Sequence, residues 1–316
     1  MKIMITGGSG FIGTRLIDEL LQENHEVLIY DKIKSEKYPE LSIIGDVRDK
    51  EFLVSSSKNV DIIYNLAAEH ADDVTPISLY SDVNIGGAKN VVEAAIKNNI
   101  HRIIFTSSVA IYGLNVGVPD ESCPPNPFNE YGRTKYEAEK IFLEWQQANI
   151  ENNLQIIRPA VIFGEMNRGN VYNLIKQIAS NKFAMIGDGK NKKSMGYVGN
   201  ISIFLASLIY ATKKVDIVNF AGKNDLTTEE IVEIVQDELA LHHGFISIPY
   251  FIGIVGASIL DLISVVTGRK FPISKVRIQK FTADTTISTT HLFEGGFQEK
   301  YTLEDALRKM VQFEFK

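Results

Sequence analysis

The chain has 316 residues, 45% of them hydrophobic, with a net charge of −6 and one cysteine. That is enough chain for a large core or a large and a small domain. The acidic balance gives no reason to expect nucleic acid as a partner. The lone Cys123 rules out a disulfide framework and a thiolate metal cluster.

The first apolar run, Ile3–Thr6, leads straight into Gly7-Gly8-Ser9-Gly10-Phe11-Ile12-Gly13. An immediate strand leaves no room for a signal peptide, and the expectation is a soluble cytoplasmic protein. An amphipathic segment, Phe11–Glu23, and a second strand, Val27–Asp31, follow. Strand, glycine turn, helix, strand and acid in this order build a dinucleotide pocket. Gly7 permits the tight turn, Gly10 admits a pyrophosphate to the backbone, and Gly13 allows close helix packing. The free N–H groups and dipole at the helix start favour phosphate. Asp31 stands about twenty residues on, where a carboxylate accepts the adenosine-ribose hydroxyls and repels a 2′-phosphate. NAD is therefore favoured, and Lys32 leaves NADP open.

Further strands are expected at Ser42–Ile44, Asp61–Leu66, Arg102–Ser107 and Gln155–Arg158, with helices over Leu79–Lys97 and Tyr131–Gln147. This alternation predicts an α/β fold: a doubly wound parallel Rossmann sheet covered on both faces. Residues 1–165 form the NAD-binding domain, joined by a returning strand near 216–220. Residues 166–316 are expected to form mainly a smaller, discontinuous substrate-binding cap and the C-terminal helices. In the cap, Thr227-Thr228-Glu229-Glu230 reads as a capping box and Thr302-Leu303-Glu304-Asp305 as a helix start. Tyr250 to Val266 is almost continuously apolar. It is short for a bilayer span and carries Asp261, so a buried or lid helix is expected. Peripheral membrane contact is the alternative, and it would suit an enzyme of lipid-linked substrates.

The chemistry lies after the Arg102–Ser107 strand. Tyr131 and Lys135 are four apart and share one helix face. A free tyrosine with pKa about 10 is no base near neutrality. An ammonium one turn away favours the phenolate. Ser108 can hydrogen-bond the same substrate oxygen.

Thr6–Gly13, Gly45-Asp46-Val47, Asn65-Leu66-Ala67-Ala68, Asn84, Thr106-Ser107-Ser108 through Tyr112-Gly113, Tyr131-Gly132-Arg133-Thr134-Lys135 and Arg158-Pro159 together carry a family likeness. On them, almost the whole chain resembles the extended short-chain dehydrogenase/reductase superfamily, in its NAD-dependent epimerase/dehydratase group acting on nucleotide sugars. The resemblance implies a catalytic set of Ser108, Tyr131 and Lys135. It implies cofactor contacts from Gly7, Gly10, Phe11, Ile12, Gly13, Asp31 and Lys32, with Asp46 and Val47 at the adenine. Leu66, Ala67, Ala68, Asn84, Ser107, Tyr131, Lys135, Arg158 and Pro159 complete that set. Glu69, His70, Ser108, Val109 and Tyr131 are expected at the substrate, and no metal is.

Dehydratases of this group carry Thr-Asp-Glu where this chain has Ser108-Val109-Ala110. Neither Val109 nor Ala110 can transfer a proton, so dehydration drops out. The remaining readings are a C4 epimerase of a UDP-sugar type, serving surface-polysaccharide sugar metabolism, and an NAD(P)H-dependent 4-ketoreductase. A hydroxysteroid-type dehydrogenase and a non-catalytic NAD-binding regulator rank below them. The group's diphosphate-binding Asn is replaced by Val161, and its Tyr-Val-x-Asp reads Tyr197-Val198-Gly199-Asn200. Asn170 is the candidate replacement. Lys192 and Lys193 are read as a solvated loop, and Asp72-Asp73 as a solvated turn. The resemblance also implies a homodimer through the Leu79–Lys97 and Tyr131–Gln147 helices.

Overall fold

A computed structural model describes residues 1–71, 74–114, 116–241, 244, 246–267 and 275–316. The turn expected at Asp72-Asp73 lies outside the described residues. The chain forms two compact units. The first comprises Met1–Ile162, Gly196–Ala221 and Ile287–Lys300, and the second Phe163–Met195, Gly222–Thr286 and Tyr301–Lys316.

The first unit is built in chain order from β1 (Lys2–Thr6), α1 (Phe11–Gln22), β2 (Glu26–Asp31), β3 (Ser42–Ile44), α2 (Lys50–Ser56) and β4 (Ile62–Asn65). A helical stretch of α3 (Ser78–Tyr80), a wider π turn (Ser81–Gly86) and α4 (Gly87–Lys97) follows. Then come β5 (Arg102–Thr106), a 3₁₀ turn (Val109–Ile111), α5 (Glu130–Ala148), β6 (Asn153–Pro159) and β7 (Val161–Phe163). Beyond α6 (Asn170–Ala179), β8 (Ala184–Ile186), β9 (Lys192–Lys193) and β10 (Met195–Tyr197), the chain adds α7 (Val198–Ser207) and β11 (Val215–Phe220).

Seven strands form one sheet in the order β3-β2-β1-β4-β5-β6-β11. Every pairing in it is parallel. Strands buried on both faces need apolar residues at nearly every position, which is why Ile3, Met4 and Ile5 are all fully buried. Ile3 and Ile5 meet Leu16, Ile17 and Leu20 of α1 and Ile201 and Leu205 of α7 on one face. Met4 joins Leu53, Val91, Ala94, Phe105 and Phe142 on the other. The rings of Phe105 and Phe142 lie 4.7 Å apart between centroids. The sequence placed only a returning strand from beyond residue 166 in this unit. In fact α7 belongs here too, because α1 alone leaves that face of the sheet uncovered.

The sheet's order reverses between β1 and β4, and ligands of such sheets bind beyond the carboxyl ends of the strands at that switch. The expected single helix Leu79–Lys97 is interrupted by the π turn, where Gly86 and Gly87 weaken regular winding. Gly87 is required there by packing: a Cβ would come within 2.8 Å of Val47 Cγ2.

The second unit contains α6, β8, β9, β12 (Leu226–Thr227), α8 (Thr228–Glu238), β13 (Ile246–Ile248), α9 (Tyr250–Thr267), α10 (Lys275–Thr282) and α12 (Leu303–Phe315). The short helix α11 (Thr290–Glu294) belongs to the first unit. The Thr227–Glu230 capping box opens α8 with both reciprocal bonds, and Thr302 caps α12. Among the described residues, no helix is long and apolar enough to cross a membrane.

One buried ion pair ties α5 to the sheet. Arg158 on β6 binds Glu139 through Nε and Nη2 at 3.0 and 2.7 Å. Its Nη1 donates to the Tyr112 hydroxyl and the Glu121 carbonyl. The Tyr112 hydroxyl in turn donates to Asn219 Oδ1 on β11. Burial works against the Arg158 charge, but Glu139 outweighs it and holds the guanidinium above its ordinary pKa. Glu139→Gln strips the charge partner from a buried cation. We expect a loss of about 3 kcal/mol in urea unfolding, and an unchanged midpoint would show the pair to be dispensable.

Candidate active site

Thr6–Gly13 forms the turn from β1 into α1. Gly7 has φ +73°, and a Cβ there would lie 2.7 Å from Ala67 N after β4. A Cβ on Gly13 would lie 2.6 Å from Gly8 O, so α1 closes onto its own loop there rather than onto the sheet. At Gly10 a Cβ would meet only Gly7 O, at 3.2 Å, and the side facing away from that oxygen is open. Asp31, at the end of β2, is fixed by N–H donors from Ser9 at 3.0 Å and Ile33 at 3.2 Å. A fixed carboxylate beside an open glycine turn suits a ribose and a diphosphate.

Ser107 and Ser108 follow β5. Ser107 is buried, and its Oγ has no hydrogen-bond partner. An unsatisfied buried hydroxyl costs free energy that a bound ligand can recover. With the Gly10 opening and the Asp31 carboxylate, this orphan fits the residues to a dinucleotide. Ser108 caps the 3₁₀ turn, its Oγ accepting from Ala110 N–H at 3.1 Å. That leaves its own hydrogen to donate, and its hydroxyl acts on Tyr131 to favour the phenolate.

Tyr131 and Lys135 project from the first turns of α5, whose N-cap is Asn129. Gly132 between them sets their distance from the serines. A Cβ at Gly132 would sit 2.4 Å from the Ala110 carbonyl oxygen. Lys135 Nζ donates to the Thr106 carbonyl at 2.7 Å and lies 4.9 Å from the Phe105 ring centre. The sequence expected Lys135 to pull the Tyr131 pKa down. The structure corrects this. Burial raises Tyr131, and the Ser108 hydroxyl is the relieving influence. Burial also lowers Lys135 to about 7, with Glu139 opposing. Its two remaining N–H donors are available to a ligand hydroxyl.

Several expected contacts are engaged elsewhere. Arg158 is committed to Glu139, Tyr112 and Glu121, so its guanidinium holds the fold and not a cofactor. Asn84 binds the Glu69 backbone through both side-chain atoms and donates to Thr134 Oγ1, which makes it a positioning residue for the loop after β4. The Glu69 carboxylate, expected at the substrate, pairs with Lys32 at 2.9 Å, next to Asp31. Asp46 is gripped by Arg48 through two guanidinium bonds, which lower its pKa. Lys193 is no solvated loop residue. It lies on β9, donates to the Ala283 carbonyl, and burial lowers its pKa to about 8. His70 and Asn170 are exposed, Asn170 at the start of α6 in the second unit.

Gly132 and Glu139 were missed by sequence reasoning. Glu139 had a signal: it continues the four-residue spacing of Tyr131 and Lys135 and falls beside Ala138, Phe142 and Trp145 on the buried face of the helix.

A serine, a tyrosine and a buried lysine beside an open glycine turn define a dinucleotide-dependent enzyme that exchanges protons with an alcohol or carbonyl. The model of the NAD dependent epimerase/dehydratase family matches residues 3–219, and the chain belongs to that family. An Escherichia coli O157:H7 protein described as N-acetyl-alpha-D-glucosaminyl-diphospho-ditrans,octacis-undecaprenol 4-epimerase is 45% identical over 99% of this chain and 95% of its own. A putative UDP-glucose 4-epimerase of Methanocaldococcus jannaschii is 30% identical over 75% of this chain and 82% of its own. The fold matches the Thermotoga maritima UDP-glucose 4-epimerase solved with UDP-glucose, at TM-score 0.79 and 21% identity over 99% of this chain and 98% of that one.

The Lys135 environment predicts a pH effect. Between pH 7 and 10.5 the unfolded chain holds a proton that folded Lys135 has released. The cost of burying this ammonium therefore fades as pH rises through that window. Lys135→Met removes the cost at every pH. In cofactor-free protein its stability relative to the parent should be greatest near pH 7 and decline toward 10.5 in urea titrations. A relative stability that climbs with pH would contradict the assignment.

Proposed function

We propose that this chain is an NAD-dependent C4 epimerase of a sugar carried on a diphosphate, serving surface-polysaccharide assembly, and that the carrier is a polyprenol. The observation that carries the reaction is the close contact of α5 with the 3₁₀ turn at Gly132 and Ala110, which sets Tyr131 on the helix opposite Ser108 on the turn, with only Val109 and Ala110 beside the serine. One hydroxyl can be deprotonated and reprotonated there, and no neighbouring group can expel water. The polyprenol is supported by the 45% identity, along almost the whole chain, to an enzyme named for an undecaprenyl-linked sugar.

NAD, when bound, supplies the acceptor and donor of hydride at the sugar carbon. Gly7, Gly10–Gly13 and Asp31 would hold it, with Ser107 and Lys135 as further donors. Tyr131 takes the C4 hydroxyl proton as that carbon becomes a ketone. Ser108 donates to the same oxygen and keeps it within reach of Tyr131. Lys135, held on the Thr106 carbonyl, keeps its remaining N–H donors for the ribose, and the positive ring of NAD, when bound, would favour the Tyr131 phenolate that burial alone opposes. Tyr131 then returns the proton after the keto sugar has turned its other face. Asn170 is assigned to the diphosphate, and Val109 and His70 to the sugar. The reading includes a homodimer through α4 and α5, supported by their packing side by side in the first unit.

Tyr131→Phe removes the proton carrier and leaves the glycine turn intact. With N-acetylglucosaminyl diphospho-undecaprenol as substrate, kcat should fall by roughly 10²–10⁴ while NAD affinity is retained. Full activity in this variant would overturn the mechanism. Turnover of the UDP-linked sugar with none of the lipid-linked one would overturn the carrier assignment.

A further inference from the structure

The surface of α9 is the part of the molecule that this chemistry does not use. Its inner side is packed: Ala257 is buried, and a Cβ on Gly253 would lie 2.8 Å from Ile186 Cγ2 on β8. Its other side is apolar and bare. Phe251 is 75% exposed, Ile252 60%, Val255 43%, Ile259 55% and Ile263 39%. At 100° per residue these five fall within one arc of the helix, and Gly256 falls in it with nothing near its Cβ position. Ile246, two residues upstream of Ile248 at the end of β13, is 71% exposed in the same unit. Single exposed hydrophobics need no explanation, but a continuous stripe of large ones marks a surface that is covered in use.

Charge identifies the cover. The whole chain is acidic, at −6. Yet between Asp261 and Asp284 the sequence carries Arg269, Lys270, Lys275, Arg277 and Lys280 and no acid. Three of these belong to α10, which packs against α9. The Lys275 N–H is anchored on Asp261 of α9, and its residue is exposed. An apolar helical stripe beside a basic stretch of sequence that opens α10 at the exposed Lys275 matches a bilayer interface with anionic headgroups. A second copy of this chain fits less well, because two such basic elements would be brought together.

We infer that the exposed face of α9, with Lys275 at the start of α10, is a docking surface for an anionic phospholipid bilayer. The helix lies in the interface and does not cross it. The inference deepens the proposed function, since a polyprenyl-linked sugar is presented at such a surface, but binding itself requires no turnover.

The test is co-sedimentation of the full chain, without substrate, with vesicles of phosphatidylcholine and phosphatidylglycerol. The parent should pellet with these vesicles and far less with phosphatidylcholine alone. Ile252→Ser, Val255→Ser and Ile259→Ser combined should weaken partitioning by roughly tenfold or more, with NAD binding unchanged as the check on folding. Lys275→Glu should weaken it in the folded chain without touching the apolar stripe. The inference is overturned if the parent stays in the supernatant or if the triple variant binds as the parent does. It is also overturned if light scattering shows the triple substitution converting a dimer to a monomer, which would make a second copy the cover. Vesicle binding without turnover of the lipid-linked sugar would overturn the proposed substrate and leave the docking surface standing.

Discussion

The site depends on one close approach. Helix α5 meets the 3₁₀ turn after β5 so tightly that a single added carbon at Gly132 would lie 2.4 Å from the Ala110 carbonyl oxygen. The three residues proposed to be catalytic sit on the two sides of that contact. Ser108 caps the turn, and Tyr131 and Lys135 flank the glycine on the helix. A larger residue would push the helix outward and separate the tyrosine from the serine. Gly is a poor helix former by up to about 1 kcal/mol, and here that cost is offset by proximity.

The same approach buries charge, and the fold handles two buried cations, Arg158 and Lys135, differently. Arg158 is given a carboxylate, a phenol and a carbonyl, and remains firmly charged. Lys135 is given one carbonyl, and burial brings its pKa to about 7. Glu139 links them, binding Arg158 directly and supporting the charge of Lys135 from one turn away on α5. A satisfied arginine fixes the helix on the sheet, while an under-satisfied lysine and the orphaned Ser107 hydroxyl hold capacity for a ligand. Structural and chemical roles are thus divided between adjacent turns of one helix.

The parallel sheet was legible in the sequence, and the candidate set of Ser108, Tyr131 and Lys135 stood out there, because their signals are local. Buried strands read as apolar runs, and the glycine turn and the Tyr131–Lys135 spacing are short motifs. Three things were not local. The destination of Arg158 depends on Glu139, nineteen residues away. The direction of the Tyr131 pKa depends on burial, which spacing alone does not reveal. The position of Asn84 in the sequence suggests a ligand contact, but the π turn aims its side chain at Glu69 and Thr134. Residues 166–316 carry few motifs, so helix α7 could not be assigned to the sheet domain before its packing on α1 was seen.

The central claim is that one hydroxyl-bearing carbon gives up hydride and takes it back within the same site. The direct measurement uses N-acetylglucosaminyl diphospho-undecaprenol deuterated at C4, with the purified enzyme and no added reduced cofactor. The expected result is a C4-epimerised product that keeps its deuterium at C4. Deuterium lost to solvent, or product formed only when reduced cofactor is added, would contradict it.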